Sequence, residues 1–365
     1  MIDKASLPRA KVCGGGVSRK ALRLLPYDIG PVVERTIGGS YLAYRNEKPV
    51  FRRLEGAGVL VERDRFDAFM TGAAVGAGAV LKDKCAFLDC RETAGSVEIE
   101  TGLGRFTCRY LVGADGVHSR VRERLYPGAR PRCAVGIEAR LEPDGGVIER
   151  FGDNVLFDFG STEGGYGWIF PKSDHFDVGL YALPGRWRGR DPRKLLLDQV
   201  ARFPLLRSAR LTGLRGFQIP VLPVGWRTAR GRIVLAGDAA GFAEAFYGEG
   251  IYYALRSARI AAECIAEAFG RNGTVKSHGR RTFGMQMDLR VGYLLAQAFY
   301  RFARFGYRHM ICNRMANRFY AELIHGRVNH VECALATVFL APIWLFAPRL
   351  KPVENDLLGP ARDAR

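Results

Sequence analysis

The chain has 365 residues, of which 48% are hydrophobic and 25% charged. These proportions are typical of a globular protein with a sizeable core and exclude a disordered or collagen-like chain. The eight cysteines are scattered and form no Cys-x-x-Cys pair, which favours reduced thiols and argues against a metal site. The formal net charge of +18 indicates affinity for acidic partners and does not specify a fold.

Short apolar runs followed by turns or helices mark the first part of the chain. Residues 59–61 predict a strand and residues 65–77 a helix. Residues 110–112 predict another strand, which runs into the turn Gly113-Ala114-Asp115-Gly116, and Ser119 then marks the start of a helix. Asp115 is thereby placed at the end of a strand, although a simple turn without a ligand is the alternative interpretation.

Residues 232–262 form the most informative stretch of the sequence. The apolar strand 233–236 is followed by Gly237-Asp238, a loop of small residues, Gly248-Glu249-Gly250 and a long helical pattern. A strand, a turn and a helix N-terminus in that order form an anion site, because free backbone N–H groups and the helix dipole point to one place. Asp238 can also present a carboxylate to a sugar-like hydroxyl there. An ordinary β–α turn is the alternative.

Residues 271–330 are basic and aromatic, with eleven Lys or Arg but only Asp288 and Glu322 as acids. Apolar positions 289, 293, 296, 300 and 303 recur at helical spacing, and Arg301, Arg304 and Arg308 form another face, which predicts an amphipathic helix. The apolar run 334–348 is shorter than the about 20 residues of a membrane span and fits an interfacial anchor on an anionic leaflet. A core helix pair with a solvated arginine face is the alternative. Nucleic-acid binding is not expected, because no recognised motif accompanies the arginines.

Five motifs together resemble the geranylgeranyl reductase family of FAD-dependent oxidoreductases. The turn at 113–116 with Ser119 and Arg122, and the pair Gly237-Asp238, look like the two aspartate motifs of the hydroxylase-like FAD fold. The segments DKASLPRAKVCGGG at 3–16, RDRFDAF at 63–69 and GYGWIFPK at 165–172 are similar to three further motifs of this family. The five motifs also stand in the family's order.

The resemblance implies an α/β (α+β) fold with an FAD-binding doubly wound parallel sheet, a mostly antiparallel substrate domain and a helical C-terminal tail. Residues 1–31, 60–130 and 225–270 would form the FAD-binding domain. Residues 32–59 and 131–224 would form the substrate domain, and residues 271–365 the tail. Alternation of apolar and polar residues at 155–159 and frequent glycines support the antiparallel sheet.

The resemblance also implies roles in holding FAD. Asp3 would bind the adenosine ribose, Arg63 the ribose or phosphate region, and Asp238 the ribityl hydroxyls. The backbone at the Gly-Glu-Gly turn would lie against the N1–C2=O edge of the flavin, where charge develops on reduction. The full set of predicted cofactor-binding residues is Asp3, Arg63, Asp115, Gly116, Gly237, Asp238, Gly248, Glu249, Gly250 and Ile251.

On the substrate side, Cys13, Gly14 and Gly15 would line the flavin face, the glycines giving room for close approach. The predicted apolar wall of an elongated substrate pocket consists of Tyr166, Trp168, Phe170, Pro171 and Phe217. The alternative for these aromatic residues is a simple sheet core. Cys13 and Tyr247 are candidate proton donors, with Cys13 alternatively a small apolar wall.

The chain departs from the family pattern in two places. The fold needs a first strand, a Gly-x-Gly-x-x-Gly turn and a helix, and no Gly-x-Gly-x-x-Gly occurs here. Because Asp3 matches the acid that normally lies about 20 residues beyond these glycines, we expect roughly 30 residues of a βαβ unit to be missing through a misplaced start or fragmentation. Many members have Asn-Pro-x-Thr where this chain has residues 244–247, Glu-Ala-Phe-Tyr, so the substrate is open between an isoprenoid and another lipid or aromatic.

The sequence thus predicts an FAD-dependent oxidoreductase that transfers hydride from flavin N5 to C=C bonds of an isoprenoid or other lipid. A flavin-dependent monooxygenase or halogenase is the alternative enzyme, and a flavin-free truncated product on a membrane surface is the alternative of another class. The electron donor is open between NAD(P)H and ferredoxin, and the basic tail suits an acidic donor protein. The lack of an apolar targeting segment favours a cytoplasmic location, with peripheral contact to the membrane if the tail binds lipid.

Overall fold

The computed structural model describes residues 1–45, 47–187, 189–271, 273–344 and 346–353. The end of the predicted tail, residues 354–365, lies outside this part. The strands are Gly16–Ser18 (β1), Val33–Thr36 (β2), Gly39–Tyr44 (β3), Glu47–Arg53 (β4), Gly58–Val61 (β5), Phe87–Glu92 (β6), Val97–Thr101 (β7), Gly104–Cys108 (β8), Leu111–Gly113 (β9), Cys133–Glu142 (β10), Asn154–Asp158 (β11), Gly165–Pro171 (β12), Phe176–Ala182 (β13), Arg210–Pro220 (β14), Ala229–Arg230 (β15) and Ile233–Leu235 (β16).

The α-helices are Arg19–Leu22 (α1), Arg63–Gly76 (α2), Arg120–Leu125 (α3), Val147–Phe151 (α4), Pro192–Ala201 (α5), Ile251–Gly270 (α6), His278–Arg301 (α7), Ala303–Gly306 (α8), Arg314–His325 (α9) and His330–Trp344 (α10). Short 3-10 turns cover Gly30–Val32, Pro204–Leu206 and Gly237–Ala240, and a π turn covers Tyr307–Ile311. The helices predicted to follow Ser119 and Gly250 are therefore present as α3 and α6.

A seven-stranded sheet in the order β14-β10-β13-β12-β11-β3-β4 joins strands from 39–53 and 133–220. Its neighbouring strands are antiparallel except for β11 and β3, which run parallel. Residues of α4 and α5 cover one face, and aromatic residues of α7 cover the other. Because both faces are covered, every residue of β12 is buried.

Three small sheets surround the other motifs. β9 and β16 run parallel from Leu111↔Ile233 to Gly113↔Leu235, and a parallel bridge joins Ile2 to Lys82. The strand predicted at 59–61 lies in β5, which pairs antiparallel with β1 and β2, and β6, β7 and β8 form an antiparallel meander. The parallel strands β9 and β16 thus lead into the two turns that carry the predicted aspartate motifs.

The C-terminal helices pack onto the rest of the molecule. The apolar stripe predicted at 289, 293, 296 and 300 is buried in α7, and α10 packs against α7. The predicted basic face is partly neutralised, because Arg304 and Arg308 lie 3.2 and 3.0 Å from Glu47. In the described ranges, no helix combines the length and the apolar character that crossing a bilayer requires.

Candidate active site

A cavity of about 610 Å³ lies where the seven-stranded sheet meets α2, α6 and the segment before β1. Its size is typical of a small-molecule site. The fold brings most of the predicted site residues to this one cavity. Those that line it are Asp3, Cys13, Gly14, Gly15, Arg63, Gly116, Tyr166, Trp168, Phe170, Phe217, Gly237, Asp238, Tyr247, Gly248, Glu249, Gly250 and Ile251.

Asp115 and Pro171 are the predicted site residues that lie outside the lining of the cavity. The Asp115 carboxylate accepts the Ser119 hydroxyl at 2.5 Å and the Arg120 and Val121 N–H groups at 2.8 and 3.2 Å. Asp115 therefore stabilises the start of α3, as side chains at helix N-termini commonly do. Pro171 ends β12, where it pairs with Phe176. Both residues shape elements beside the cavity.

One end of the cavity is aromatic. Tyr166, Trp168 and Phe170 share a face of β12 because successive side chains of a strand alternate. The Tyr166 ring lies 5.4 Å from that of Tyr181 and 5.9 Å from that of Tyr247, and its hydroxyl donates to the Tyr247 carbonyl at 2.7 Å. This hydrogen bond joins the wall to the loop in which the chain departs from the family pattern. The result is a continuous apolar surface suited to an elongated ligand.

The Cys-Gly-Gly segment crosses this wall closely. A Cβ at Gly14 would lie 3.1 Å from the Phe170 and Trp168 rings, and Gly15 has a φ of +71° with the Val61 carbonyl 2.0 Å from its Cβ position. Only glycine fits at position 15, whereas a side chain at position 14 would crowd the two rings. The Cys13 Sγ atom accepts the Gly15 N–H at 3.4 Å, which fixes Cys13 at the turn.

The other end of the cavity is polar. The Arg63 guanidinium donates to both carboxylate oxygens of Asp67, at 2.9 and 3.1 Å. No hydrogen bond reaches the Asp238 carboxylate from any residue that the structure describes; burial raises its pKa, and the charges of Lys11 and Arg63 oppose that rise. Burial and then the charge of Arg63 lower the pKa of Lys11. An acceptor without a donor beside two cations suits a ligand that carries hydroxyls and an anionic group.

The Gly-Glu-Gly turn is anchored from behind. Gly248 has a φ of +70°, and α6 begins directly after Gly250. Glu249 lies 2.7 Å from the Lys20 ammonium and accepts the Ser18 hydroxyl at 2.5 Å. Burial would lower the pKa of Lys20, but the Glu249 carboxylate outweighs burial and raises it. The free N–H groups at the start of α6 are therefore held at the cavity.

Further charged residues, which the sequence did not indicate as site residues, also line the cavity, namely Arg9, Lys11, Lys20, Asp67, Glu138 and Glu244. Lys11 lies in the motif that contains Cys13, so the motif itself could have indicated it. Glu138 lies on β10, and only the register of the sheet brings it to Cys13, whose N–H donates to it at 2.5 Å. Glu244 is buried and accepts the Tyr247 N–H at 3.0 Å. It therefore shapes the divergent loop, residues 244–247, where the chain departs from the family pattern.

The chain is similar over most of its length to known proteins. It is 32% identical to an uncharacterized protein of Methanosarcina barkeri, over 82% of this chain and 77% of that protein. It is 32% identical to the digeranylgeranylglycerophospholipid reductase of Methanothrix thermoacetophila, over 60% of this chain and 57% of that enzyme. The solved structure of a geranylgeranyl bacteriochlorophyll reductase-like protein from Thermoplasma acidophilum has a TM-score of 0.71 at 21% identity, with 82% of this chain and 80% of that one covered.

No sequence model of a protein family matches the chain. The chain spans 49% of the chloroplastic geranylgeranyl diphosphate reductase of Oryza sativa subsp. japonica, to which it is 31% identical. These similarities confirm the predicted fold class and the predicted kinship. The chain belongs to the geranylgeranyl reductase family of FAD-dependent oxidoreductases.

Proposed function

We propose that this protein is an FAD-dependent reductase that saturates C=C bonds of an isoprenoid chain or a related lipid. The observation that carries the proposal is a single cavity with two chemically different ends. The polar end has a helix start and the Asp238 carboxylate, which accepts no hydrogen bond from the described residues, and the apolar end has a wall of aromatic rings. A cofactor with a polyol and a phosphate requires the first, and a long hydrocarbon requires the second.

The residues at the polar end fit FAD. Asp238 lacks a donor among the described residues and would accept hydroxyls of the ribityl chain. Gly248, Gly250 and the start of α6 would face the flavin edge, while Arg63 and Asp3 would face the adenosine side. When bound and reduced, FAD supplies hydride for the reaction. The chain's own groups would bind the cofactor, exclude water and hold the proton that the reaction consumes.

The substrate would lie along the aromatic wall. Cys13 and Tyr247, the predicted candidates for proton transfer, both line this part of the cavity. Burial and then the charge of Glu244 raise the pKa of Tyr247 above its usual range, so its hydroxyl is a weak acid there. Phe217 lines the cavity and is 40% exposed, so the cavity is open to solvent at this residue. A lipid with a polar head could therefore keep the head outside while its chain enters.

Contact with a membrane surface is part of the proposal, because the substrate class resides there. α10 exposes the apolar side chains of Leu335, Val338, Phe339 and Ile343 at helical spacing. Exposed Arg349 and Lys351 follow α10. An apolar face beside cations suits an anionic leaflet. The same positive charge would suit an acidic electron-donor protein such as a ferredoxin, whereas NAD(P)H would need contact with the cavity itself.

The decisive experiment is anaerobic. The purified chain is titrated with FAD and followed by its visible spectrum, then reduced with dithionite and mixed with a lipid that carries geranylgeranyl chains. Mass spectrometry should show the addition of two hydrogens per double bond. Asp238→Ala should lose flavin, whereas Asp198→Ala, on the exposed side of α5, should retain it.

Two other outcomes would contradict the proposal. Oxygen-dependent modification of substrate without alkene saturation would identify a monooxygenase or halogenase. Failure to take up FAD, combined with binding to vesicles, would favour a flavin-free membrane-surface protein.

A further inference from the structure

The cavity contains a carboxyl group directly beside Cys13. Glu138 lies on β10 and lines the cavity. One carboxylate oxygen accepts the Cys13 N–H at 2.5 Å. Its other oxygen makes no hydrogen bond within the described ranges. One oxygen is thus fixed by the backbone of the Cys-Gly-Gly segment, and the other is free for a ligand.

A second acid, Asp177, lies near Glu138 on the neighbouring strand β13. Glu138 pairs with Gly179 and Arg140 with Asp177, so Glu138 and Asp177 lie on one face of the sheet. The Trp168 indole N–H donates to Asp177 at 2.5 Å. A Cβ at Gly179 would lie 2.1 Å from the Trp168 ring, so Gly179 makes room for that ring between the two acids.

The charge balance around these acids favours protonation. The carboxylates are Glu138, Asp177 and Glu62, and the buried cation among them is Lys172, 1% exposed. The buried His175 ring lies 3.4 Å from Glu62. The Lys172 ammonium donates to the Gly14 and Val61 carbonyls at 3.1 and 2.7 Å and lies 3.7 Å from Glu62. Burial and then the charge of Asp177 raise the pKa of Glu138 to about 8, against the Cys13 N–H and Lys172. Burial likewise raises the pKa of Asp177.

We propose that Glu138 is the catalytic acid that protonates the alkene carbon, with Asp177 as a positioning residue. The assignment rests on the proposed function. The reduction delivers two electrons and one proton to one alkene carbon as hydride from a reduced flavin. The other carbon takes the carboxyl proton of Glu138, the π bond becomes two C–H bonds, and the Glu138 carboxylate regains a proton from solvent.

The chemistry favours Glu138 over the tyrosine of the divergent loop. General acid catalysis is most effective when the acid titrates near the working pH, because the group must both give up and regain its proton. Tyr247 holds its proton too tightly for this, since burial raises its pKa. Its hydroxyl would instead pack as part of the aromatic wall.

Glu138→Gln tests the assignment, because the amide oxygen can still accept the Cys13 N–H. Glu142→Gln, also on β10 but bonded to Arg210, is the matched control. We expect Glu138→Gln to bind FAD and accept electrons from dithionite normally while alkene saturation falls by about a hundredfold or more. The infrared carbonyl band of protonated carboxylic acids should lose the contribution of Glu138 in Glu138→Gln and be unchanged in Glu142→Gln.

A second variant separates a catalytic role from a structural one. Saturation by the wild type should decline as the pH rises through about 8, because the protonated acid is required. Asp177→Asn removes a negative charge and should move this decline to lower pH.

Full alkene saturation by Glu138→Gln, or an infrared band as intense as that of the wild type, would overturn the assignment alone. Loss of flavin uptake or of product in the wild type would instead overturn the proposed function, and the assignment with it.

Discussion

The His330 Nδ1 atom lies 3.0 Å from a carboxylate oxygen of Asp288, which joins α10 to α7 inside the protein. The Nε2 atom of the same ring lies 3.7 Å from Glu244, whose carboxylate accepts the N–H of Tyr247 at the cavity. Burial would lower the pKa of His330, but hydrogen bonding to Asp288 and the charge of Glu244 outweigh it and raise the pKa to about 9. A buried charge network thus connects the C-terminal helices with the divergent loop.

We expect His330→Ala to lower the free energy of unfolding by about 3 kcal/mol at neutral pH, because it leaves two buried carboxylates without their cation. Urea denaturation measures this loss. His309→Ala, at a partly exposed site on the π turn, is the control and should change the stability by less than about 1 kcal/mol.

The same network has a defined pH dependence. Because the folded-state pKa of His330 is raised, its contribution to stability is fully present below the unfolded pKa of about 6.5. The contribution is lost as the pH rises toward about 9. The stability difference between the wild type and His330→Ala should therefore shrink as the pH rises from about 6.5 to about 9. A difference independent of pH would contradict this account.

Gly179→Ala should disrupt the aromatic wall. The added methyl group would lie 2.1 Å from the Trp168 ring and 2.4 Å from the Ile137 carbonyl, so either the ring or the sheet must move. We expect a loss of about 1–3 kcal/mol in stability, measured by thermal or urea unfolding. The rate of alkene reduction should fall as well, because Trp168 lines the cavity.

Gly72→Ala is the matched control, because a Cβ at Gly72 in α2 meets no atom within 4 Å. Alanine favours a helix interior over glycine by about 0.5–1 kcal/mol, so this variant should be at least as stable as the wild type. Equal effects of the two substitutions would show that the close packing at Gly179 has no energetic consequence.

Local signals explain which parts of the structure the sequence could predict. Ser119 precedes α3 and accepts the Arg122 N–H at 2.9 Å, as a helix-starting serine does. The strand and helix around Asp238 were predictable for the same reason. Glu138 was not, because its contact with Cys13 spans 125 positions along the chain and depends on sheet register. For Asp115, the sequence pattern located the turn but did not indicate that the carboxylate binds Ser119 and Arg120 at the start of α3.

Arg63→Ala should weaken FAD binding. The Arg63 side chain is 10% exposed and donates to both oxygens of Asp67, so its guanidinium is already positioned among the residues that line the cavity. Loss of a charged hydrogen-bond donor costs about 1.5–3 kcal/mol, which corresponds to roughly a tenfold to hundredfold rise in Kd. Fluorescence quenching of added FAD measures the change. Arg65 lies on the same helix as Arg63, is exposed and pairs with Glu34 of β2, so Arg65→Ala should leave Kd unchanged. If both variants bind FAD equally well, Arg63 is only a structural partner of Asp67.

Val338→Ser combined with Phe339→Ser should reduce binding to vesicles that contain anionic lipid. Both side chains are 71% exposed on α10, so their replacement removes little packing within the protein. Burial of each apolar side chain in a bilayer is worth up to about 1.5–3 kcal/mol, so the double variant should bind at least about tenfold more weakly. Leu197→Ser, at an exposed apolar site of α5, is the control and should bind as the wild type does.

Binding should also weaken with salt if cations near α10 contribute. Equal binding by the double variant would place any membrane contact on another face, whereas a selective loss would assign it to α10.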